Sequence, residues 1–484
     1  MSDTANLPSI ETAFRLHGAG RLAEASSIYR AILQRQPDHP GALHYLGVTE
    51  AASGRFDTAQ SLMERSLQVH PDNLQFIENY ASLLVQTGSC DAALSVCRRG
   101  LTLNPDNPQL LYVEAVALVR LNRLPEAIAQ FDRVLSLQPN NIVALNERGS
   151  ALAQIRRFDE ALASFAKALS LNPQYPEAHF NDALCRLLRG DLARGLEQYE
   201  WRWEIAAARP HRRNFRRPRW TGKEDVAGKS ILLHAEQGFG DTIQFCRYVP
   251  LVAARGARII LEVQQPLRGL MQTSFDQATI IATGDPLPDF DMHCPIVSLP
   301  LAFATRIDTI PSDTPYLRVR SSSRIDLNRG DLRIGLVWSG SATNLNGRNR
   351  SMSLKTLLPL LKSNATFVSL QKDVGAEDAN VLRAHSELLH VGDQLVDFTA
   401  TAEIIAGLDL VISIDTSVAH LAGAMGKPVW VLLPFVPDWR WFLDREDNPW
   451  YPTARLFRQD DNRTWDEVVA HVAAALESVI ARSV

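Results

Sequence analysis

No run of consecutive apolar residues in this 484-residue chain approaches the ~18 that a membrane-spanning helix requires, so no membrane span is expected. The N-terminal stretch MSDTANLPSIETAF lacks a basic start followed by an apolar block, so no secretory leader is expected either. Cysteine is scarce. Cys90, Cys97, Cys185, Cys246 and Cys294 make an odd count with no CxxC pair, which argues against a disulfide framework and against a zinc knuckle. A reducing, cytoplasmic compartment fits that usage. Excess positive charge is also lacking: the net charge is −4, and nothing global points to nucleic acid. Charged residues are 21% and apolar residues 46%, which excludes collagen-like and wholly disordered chains. The length allows roughly two to four domains.

What is present first is a repeat. Proline recurs at Pro37, Pro71, Pro105, Pro139 and Pro173, and alanine at Ala25, Ala59, Ala93, Ala127 and Ala161, both in a 34-residue step. A turn position recurs at Gly20, Gly54, Gly88, Asn122, Arg156 and Gly190. Each unit reads as two helices: Leu145, Gly149 and Leu152 mark one face, Ala161, Phe165 and Ala168 the next, and Pro173 ends the unit. This resembles the tetratricopeptide repeat over about residues 6–209. In the sixth unit Gly195 replaces the alanine and Ala207 the proline, as expected of a terminal repeat.

Such arrays present a groove to a protein or peptide, although a rigid arm is the competing use. In eukaryotic O-GlcNAc transferases an asparagine ladder lines the groove. The equivalent position here reads Tyr45, Asn79, Val113, Glu147 and Asn181, so a groove of that type is not expected. After the array, RPHRRNFRRPR carries Arg209, Arg212, Arg213, Arg216, Arg217 and Arg219 without an acidic residue. Either these arginines pair with acidic surface on flanking domains, or they contact an anion with Phe215 and Trp220 stacking. Gly228-Lys229-Ser230 is not a P-loop, because it precedes a strand instead of opening a helix.

The second half reads as α/β, twice over. Ser230–Ala235 is an apolar strand, Glu236–Asp241 a glycine-rich turn, Thr242 to about Arg255 a helix, and Arg258–Val263 the next strand. A second start lies at Leu332–Trp338, with strands at Thr366–Leu370, Leu410–Ile414 and Pro428–Leu433. The expected organisation is a helical solenoid (1–209), an Arg-rich linker (210–227), two Rossmann-like halves (228–325 and 326–460) and a C-terminal segment (461–484) whose helix is read at 465–481.

Ligands in such sheets bind beyond the carboxyl ends of the strands. Two motifs sit there. Gln237, Gly238 and Gly240 form a loop that lets a ligand approach the backbone, and Asp241 follows at a helix start, where it serves either as a plain cap or as a chemical group. Asp415-Thr416-Ser417-Val418-Ala419-His420 joins a second strand to a helix whose free N–H groups favour a phosphate. Trp338, Ser339, Gly340 and Ser341, the run Arg348–Ser351 with Arg350, and Lys372 lie at other strand ends and are further diphosphate or sugar contacts. Trp439 and Trp441 either flank a nucleobase or pack. Asp289-Phe290-Asp291 has the letters of a metal-binding DxD but reads as a loop.

These residues carry a resemblance. Gly240-Asp241, the segment DTSVAHLAGA ending at Ala424, and Gly426-Lys427-Pro428 resemble GT-B glycosyltransferases, closest to the ADP-heptose:lipopolysaccharide heptosyltransferase-like family, over about 228–484. The blocks EQGFGDTIQFCRYVP, Asp438-Trp439-Arg440-Trp441 and Asn448–Pro452 are similar to the subgroup preceded by tetratricopeptide repeats. The resemblance implies that Asp241 is the general base and that Thr416, Ser417, the helix terminus and His420 meet the leaving group. It implies an inverting transfer from a nucleotide sugar to a glycan or protein hydroxyl, with no cofactor and no metal. A non-catalytic repeat scaffold with a degenerate α/β half is the alternative.

Overall fold

A computed structural model describes residues 9–206, 212–236, 238–321, 332–340 and 347–483. The chain divides into two compact units, Met1–Asn181 and Asp182–Val484.

The first unit is built from antiparallel helix pairs, from Ile10–Gly18 with Leu22–Arg35 to Ile142–Gln154 with Phe158–Leu171. The period in the sequence is a period of local solutions. Ala25, Ala59, Ala93, Ala127 and Ala161 are all fully buried, where only a methyl fits between paired helices. The turn residues have left-handed backbone, with φ of 75° at Gly20, 77° at Gly54, 83° at Gly88, 58° at Asn122 and 59° at Arg156. Asn73, Asn107 and Asn141 cap successive helices by accepting the N–H groups of Phe76, Leu110 and Ala144. Each proline falls just past a helix end, and its carbonyl is used. Arg65, Arg99 and Arg133 donate to the carbonyls of Pro37, Pro71 and Pro105, a clasp repeated between neighbouring units. Asn79 bonds to His44 Nε2 at 2.8 Å, and Asn181 donates to Asn146 and Ser150, so these two amides are engaged within the array.

The second unit holds two parallel sheets. The first contains β1 (Ser230–His234), β2 (Arg258–Val263), β3 (Ala278–Ala282) and β4 (Met292–Pro295) in the order β3-β2-β1-β4. The second contains β5 (Leu332–Val337), β6 (Ala365–Ser369), β7 (Leu388–His390), β8 (Leu410–Ile414), β9 (Val429–Leu433) and β10 (Ala454–Arg458) in the order β10-β9-β8-β5-β6-β7. That is the doubly wound order of nucleotide-binding sheets, with its reversal between β5 and β8. β8 and β9 are buried at every residue, as expected of strands covered on both faces.

One helix differs from the sequence reading. The expected helix over 242–255 begins earlier, at Phe239, and breaks into Phe239–Phe245, a 3₁₀ turn at Cys246–Tyr248 and Val249–Ala253, where Pro250 cannot supply an N–H. After Asp291 the chain forms β4, and Ile296–Ser298 makes a 3₁₀ turn just past it. The Arg-rich segment is packed. Trp220 is fully buried and donates its backbone N–H to the His293 carbonyl within β4. Arg212 pairs with Glu204, Arg213 with Glu262 and Arg219 with Glu200, while Arg209 lies outside the described residues.

Candidate functional site

The loops after β5 and β8 leave the second sheet at its reversal point, the place where doubly wound sheets bind their ligands. Asp415 follows β8, and Thr416 is the cap residue of helix Ser417–Ala424. The Thr416 side chain makes no cap bond; its Oγ1 sits 3.0 Å from Ser413 Oγ. The first N–H groups of that helix are thereby left for an anion. Asp415 is buried, with Oδ2 3.6 Å from Arg350 Nη1 and Oδ1 3.6 Å from His420 Nε2. Burial pushes its carboxyl up, but hydrogen bonding and charge at His420, with the Arg350 guanidinium, outweigh this and hold it down to about 2. Gly340 has no side chain to displace the Arg350 guanidinium and donates its N–H to Ser351 Oγ at 3.1 Å. Arg350 Nε is buried without a hydrogen-bond partner among the described residues, so one donor of this fork is unspent.

The glycine-rich turn after β1 faces the same ring. A Cβ on Gly240 would lie 2.9 Å from His420 Cδ2, so only glycine allows this approach. His420 cannot yield: Nδ1 is 2.9 Å from Tyr451 Oη, and its ring stacks on Trp441 at 5.1 Å. Asp241 is not the cap, which is Gly238. It stands in the first turn of helix Phe239–Phe245, where Oδ1 accepts from Arg440 Nη2 at 2.6 Å. Arg440 is buried against Trp439 and also holds Asp438 at 2.8 Å.

Asp241 lines a cavity of about 400 Å3 over the carboxyl ends of β1, β2 and β3, with Glu236, Glu262, Arg202, Arg213, Tyr199 and Trp203 on its walls. Arg202 lies in a 3₁₀ turn at Glu200–Glu204. It donates to Glu236 at 2.7 and 3.0 Å, to Glu200 at 2.9 Å and to Ser298 at 2.8 Å. Burial pushes the Glu200 carboxyl up, but Arg202 and Arg219 overcome this and hold it below the usual carboxylate range.

The geometry therefore gathers Asp415, Thr416, Ser417, His420, Gly340 and Arg350 at the reversal point, and brings Gly240 against His420, with Gly238 and Asp241 in the same turn. It corrects the reading of Trp338. That side chain is fully buried in the sheet core, and its Nε1 donates to Asp378 at 2.8 Å, so no face remains for a ligand. Trp439 and Trp441 are likewise buried packing groups, not walls of an open base site. Lys372 is on an exposed loop past β6. Asp291 accepts the Ser230 N–H at 2.8 Å, a structural use. Gln237, Ser341 and the Arg348 side chain lie outside the described residues. Sequence reasoning missed Arg440, Arg202 and Tyr451 as site residues. The available signal was the tripeptide Trp-Arg-Trp, present at Trp201–Trp203 and at Trp439–Trp441.

The family models bear on the first unit, while the curated relative matches a longer stretch than that unit. Tetratricopeptide-repeat models match residues 16–76, 81–142 and 142–175, so the N-terminal region is an array of these repeats. Protein FlbA of Caulobacter vibrioides is 25% identical over 334 residues, covering 62% of this chain. The chain spans 55% of the length of that curated relative. Similar solved structures include YrrB, described as a repeat protein with an unusual peptide-binding site, at 22% identity and a TM-score of 0.32 over 35% of this chain and 87% of that one. A tetratricopeptide repeat protein from Parabacteroides merdae matches at 22% identity and a TM-score of 0.37, over 40% of this chain and 77% of its own. No helix among the described residues is long and apolar enough to cross a membrane.

Proposed function

We propose that the second unit is a GT-B glycosyltransferase of the heptosyltransferase-like kind, and that the repeat array binds the acceptor or a partner protein. The observation that carries the reading is the convergence of two strand-end motifs from different sheets, Gly240-Asp241 and the Asp415–His420 segment, with Gly240 and Asp415 both at the Cδ2–Nε2 edge of the His420 ring. In this reading the acceptor oxygen attacks the anomeric carbon of a nucleotide sugar. The bond to the nucleotide breaks, the configuration inverts, and Asp241 takes the hydroxyl proton. The departing diphosphate meets Arg350 and the N–H groups of helix Ser417–Ala424, which supply fixed positive charge where negative charge develops. That supply is why no metal is invoked. The donor, nucleotide base and acceptor are identified experimentally: calorimetry against ADP-, UDP- and GDP-sugars, followed by turnover of the bound donor. Asp241→Asn is expected to keep donor binding and lose about 10²–10⁴-fold in turnover. Unchanged turnover removes Asp241 as base, and absence of binding by every nucleotide sugar favours the second reading.

That second reading is a non-catalytic scaffold. The repeat array favours it, since tetratricopeptide arrays act by holding protein partners. A transferase acting on a protein hydroxyl combines the two readings.

A further inference from the structure

The cavity beside Asp241 has a charge pattern that selects its occupant. Arg202 is held by Glu236 and Glu200, and Arg213 is paired with Glu262. Arg440, behind Asp241, is paired with that residue and with Asp438. Each of these guanidinium groups is already met by a carboxylate. Among the lining residues Glu236, Glu262 and Asp241 outnumber Arg202 and Arg213. His234 also lines the wall. Burial, with His293, Arg213 and Arg219 nearby, holds it neutral, down to about 3, so it adds no positive charge near neutral pH.

An anionic group entering here would be desolvated beside surplus carboxylates, with no unpaired arginine among the described lining residues to receive it. A neutral hydroxyl group instead finds carboxylate oxygens as acceptors. Arg202 covers one face of Tyr199 and of Trp203, at 5.0 and 4.7 Å, and the remaining ring surface that lines the cavity suits the apolar C–H side of such a group. Trp203 Nε1 is buried with no partner among the described residues, leaving one donor for an oxygen. The volume of about 400 Å3 is at the small end of ligand clefts, which run to roughly 1,000 Å3.

We propose that this cavity is the acceptor pocket and that it takes a neutral, hydroxyl-bearing group while rejecting an anionic one; the acceptor assignment rests on the transferase reading of Asp241. A sugar ring and a serine or threonine side chain share that chemistry.

The test is ligand-observed saturation-transfer NMR on the full chain with three probes: methyl α-glucoside, N-acetylserine methylamide and glucose 6-phosphate. Both neutral probes, or one of them, are expected to bind, and the stronger one identifies the source of the hydroxyl. Glucose 6-phosphate is expected to bind at least about tenfold more weakly. Thr283→Trp, at the exposed rim, is expected to abolish the neutral signal. Glu262→Gln unpairs Arg213 and is expected to raise glucose 6-phosphate binding about tenfold. If that variant fails to fold, Arg213→Gln serves instead and is expected to retain the neutral probes. The proposal is overturned if glucose 6-phosphate matches the neutral probes in the unmodified protein, if neither neutral probe binds, or if binding survives Thr283→Trp. Nucleotide-sugar turnover is read separately. Neutral binding without turnover keeps the selectivity of the cavity but overturns the acceptor assignment together with the transferase reading; anion binding with turnover overturns the selectivity and keeps that reading.

Discussion

Arg440 Nη2 lies 2.6 Å from Asp241 Oδ1, across 199 positions of sequence. The arginine is fixed before it reaches the carboxylate, because Trp439 lies under its guanidinium at 4.5 Å and Asp438 holds its other nitrogen. One oxygen of Asp241 is therefore engaged and the other is left for a ligand.

Arg440→Lys keeps the charge but loses the planar fork, and is expected to lower turnover about 10²-fold through misplacement of Asp241 while the protein stays folded. Arg440→Gln leaves two carboxylates unpaired. Breaking a buried pair costs about 3–5 kcal/mol, and the 31% exposure of Asp241 puts the expected loss near the bottom of that range or below it. Urea unfolding with parallel turnover measurements checks both. Full activity in Arg440→Lys would show that the contact is only structural.

The two glycines of the turn are expected to respond differently. In Gly240→Ala the new methyl meets a His420 ring locked by Tyr451 and Trp441, and overpacking of this kind costs about 1–3 kcal/mol. In Gly238→Ala the clash is with Asp241 Oδ2, at 2.7 Å, the end of a movable side chain. That variant is expected to lose activity with little loss of stability. Equal thermal shifts in the two would contradict the assignment.

What the sequence made legible follows from range. The repeats were readable because fully buried alanines, left-handed turns and asparagine caps are local solutions copied every 34 residues. The strand-end segments around Asp241 and Asp415 were readable for a similar reason, since glycine, aspartate and hydroxyl residues mark strand-to-helix turns. Arg440 and Arg202 were not readable as site residues, because their distant partners, Asp241 and Glu236, are brought to them only by folding, while Asp438 and Glu200 are near in sequence. Trp338 was misread because a residue just past a strand can still turn into the core. Arg213 and Arg219 were readable only to the point of two alternatives, and folding chose carboxylate pairing.

Acid sensitivity is expected from three histidines. Burial, with His17 nearby, lowers His44 to about 4; burial with neighbouring charge lowers His234 to about 3 and His293 to about 4. Below about 6.5 the unfolded chain takes up these protons while the folded chain does not, so stability falls as pH drops from about 6.5 toward 4. Asp415 does not contribute in that window. Its depressed carboxyl supplies stability that is present above the ordinary aspartate value of 3.8 and lost as pH falls toward about 2. Urea midpoints at about pH 7.5 and about pH 5 should differ less in His44→Phe, which keeps a ring against Phe76 and removes one titrating group.

Arg156 occupies the turn position at which Gly20, Gly54 and Gly88 stand in other units, and it does so at φ 59°. A side-chain-bearing residue in left-handed backbone costs roughly 1–2 kcal/mol, because Cβ crowds the following carbonyl. Glycine removes that cost and adds about 0.5–1 kcal/mol of unfolded-state entropy. Arg156→Gly is therefore expected to stabilise the array by about 0.5–1 kcal/mol. Ala81→Gly, inside a helix and buried, is the control, expected to cost about 1 kcal/mol. The readout is amide exchange in helices Ile142–Gln154 and Phe158–Leu171, which flank the turn. Slower exchange in Arg156→Gly places the strain in the turn. Faster exchange there would mean that contacts of the arginine side chain outweigh its backbone cost, and that the repeat uses this position for packing as well as for reversing the chain.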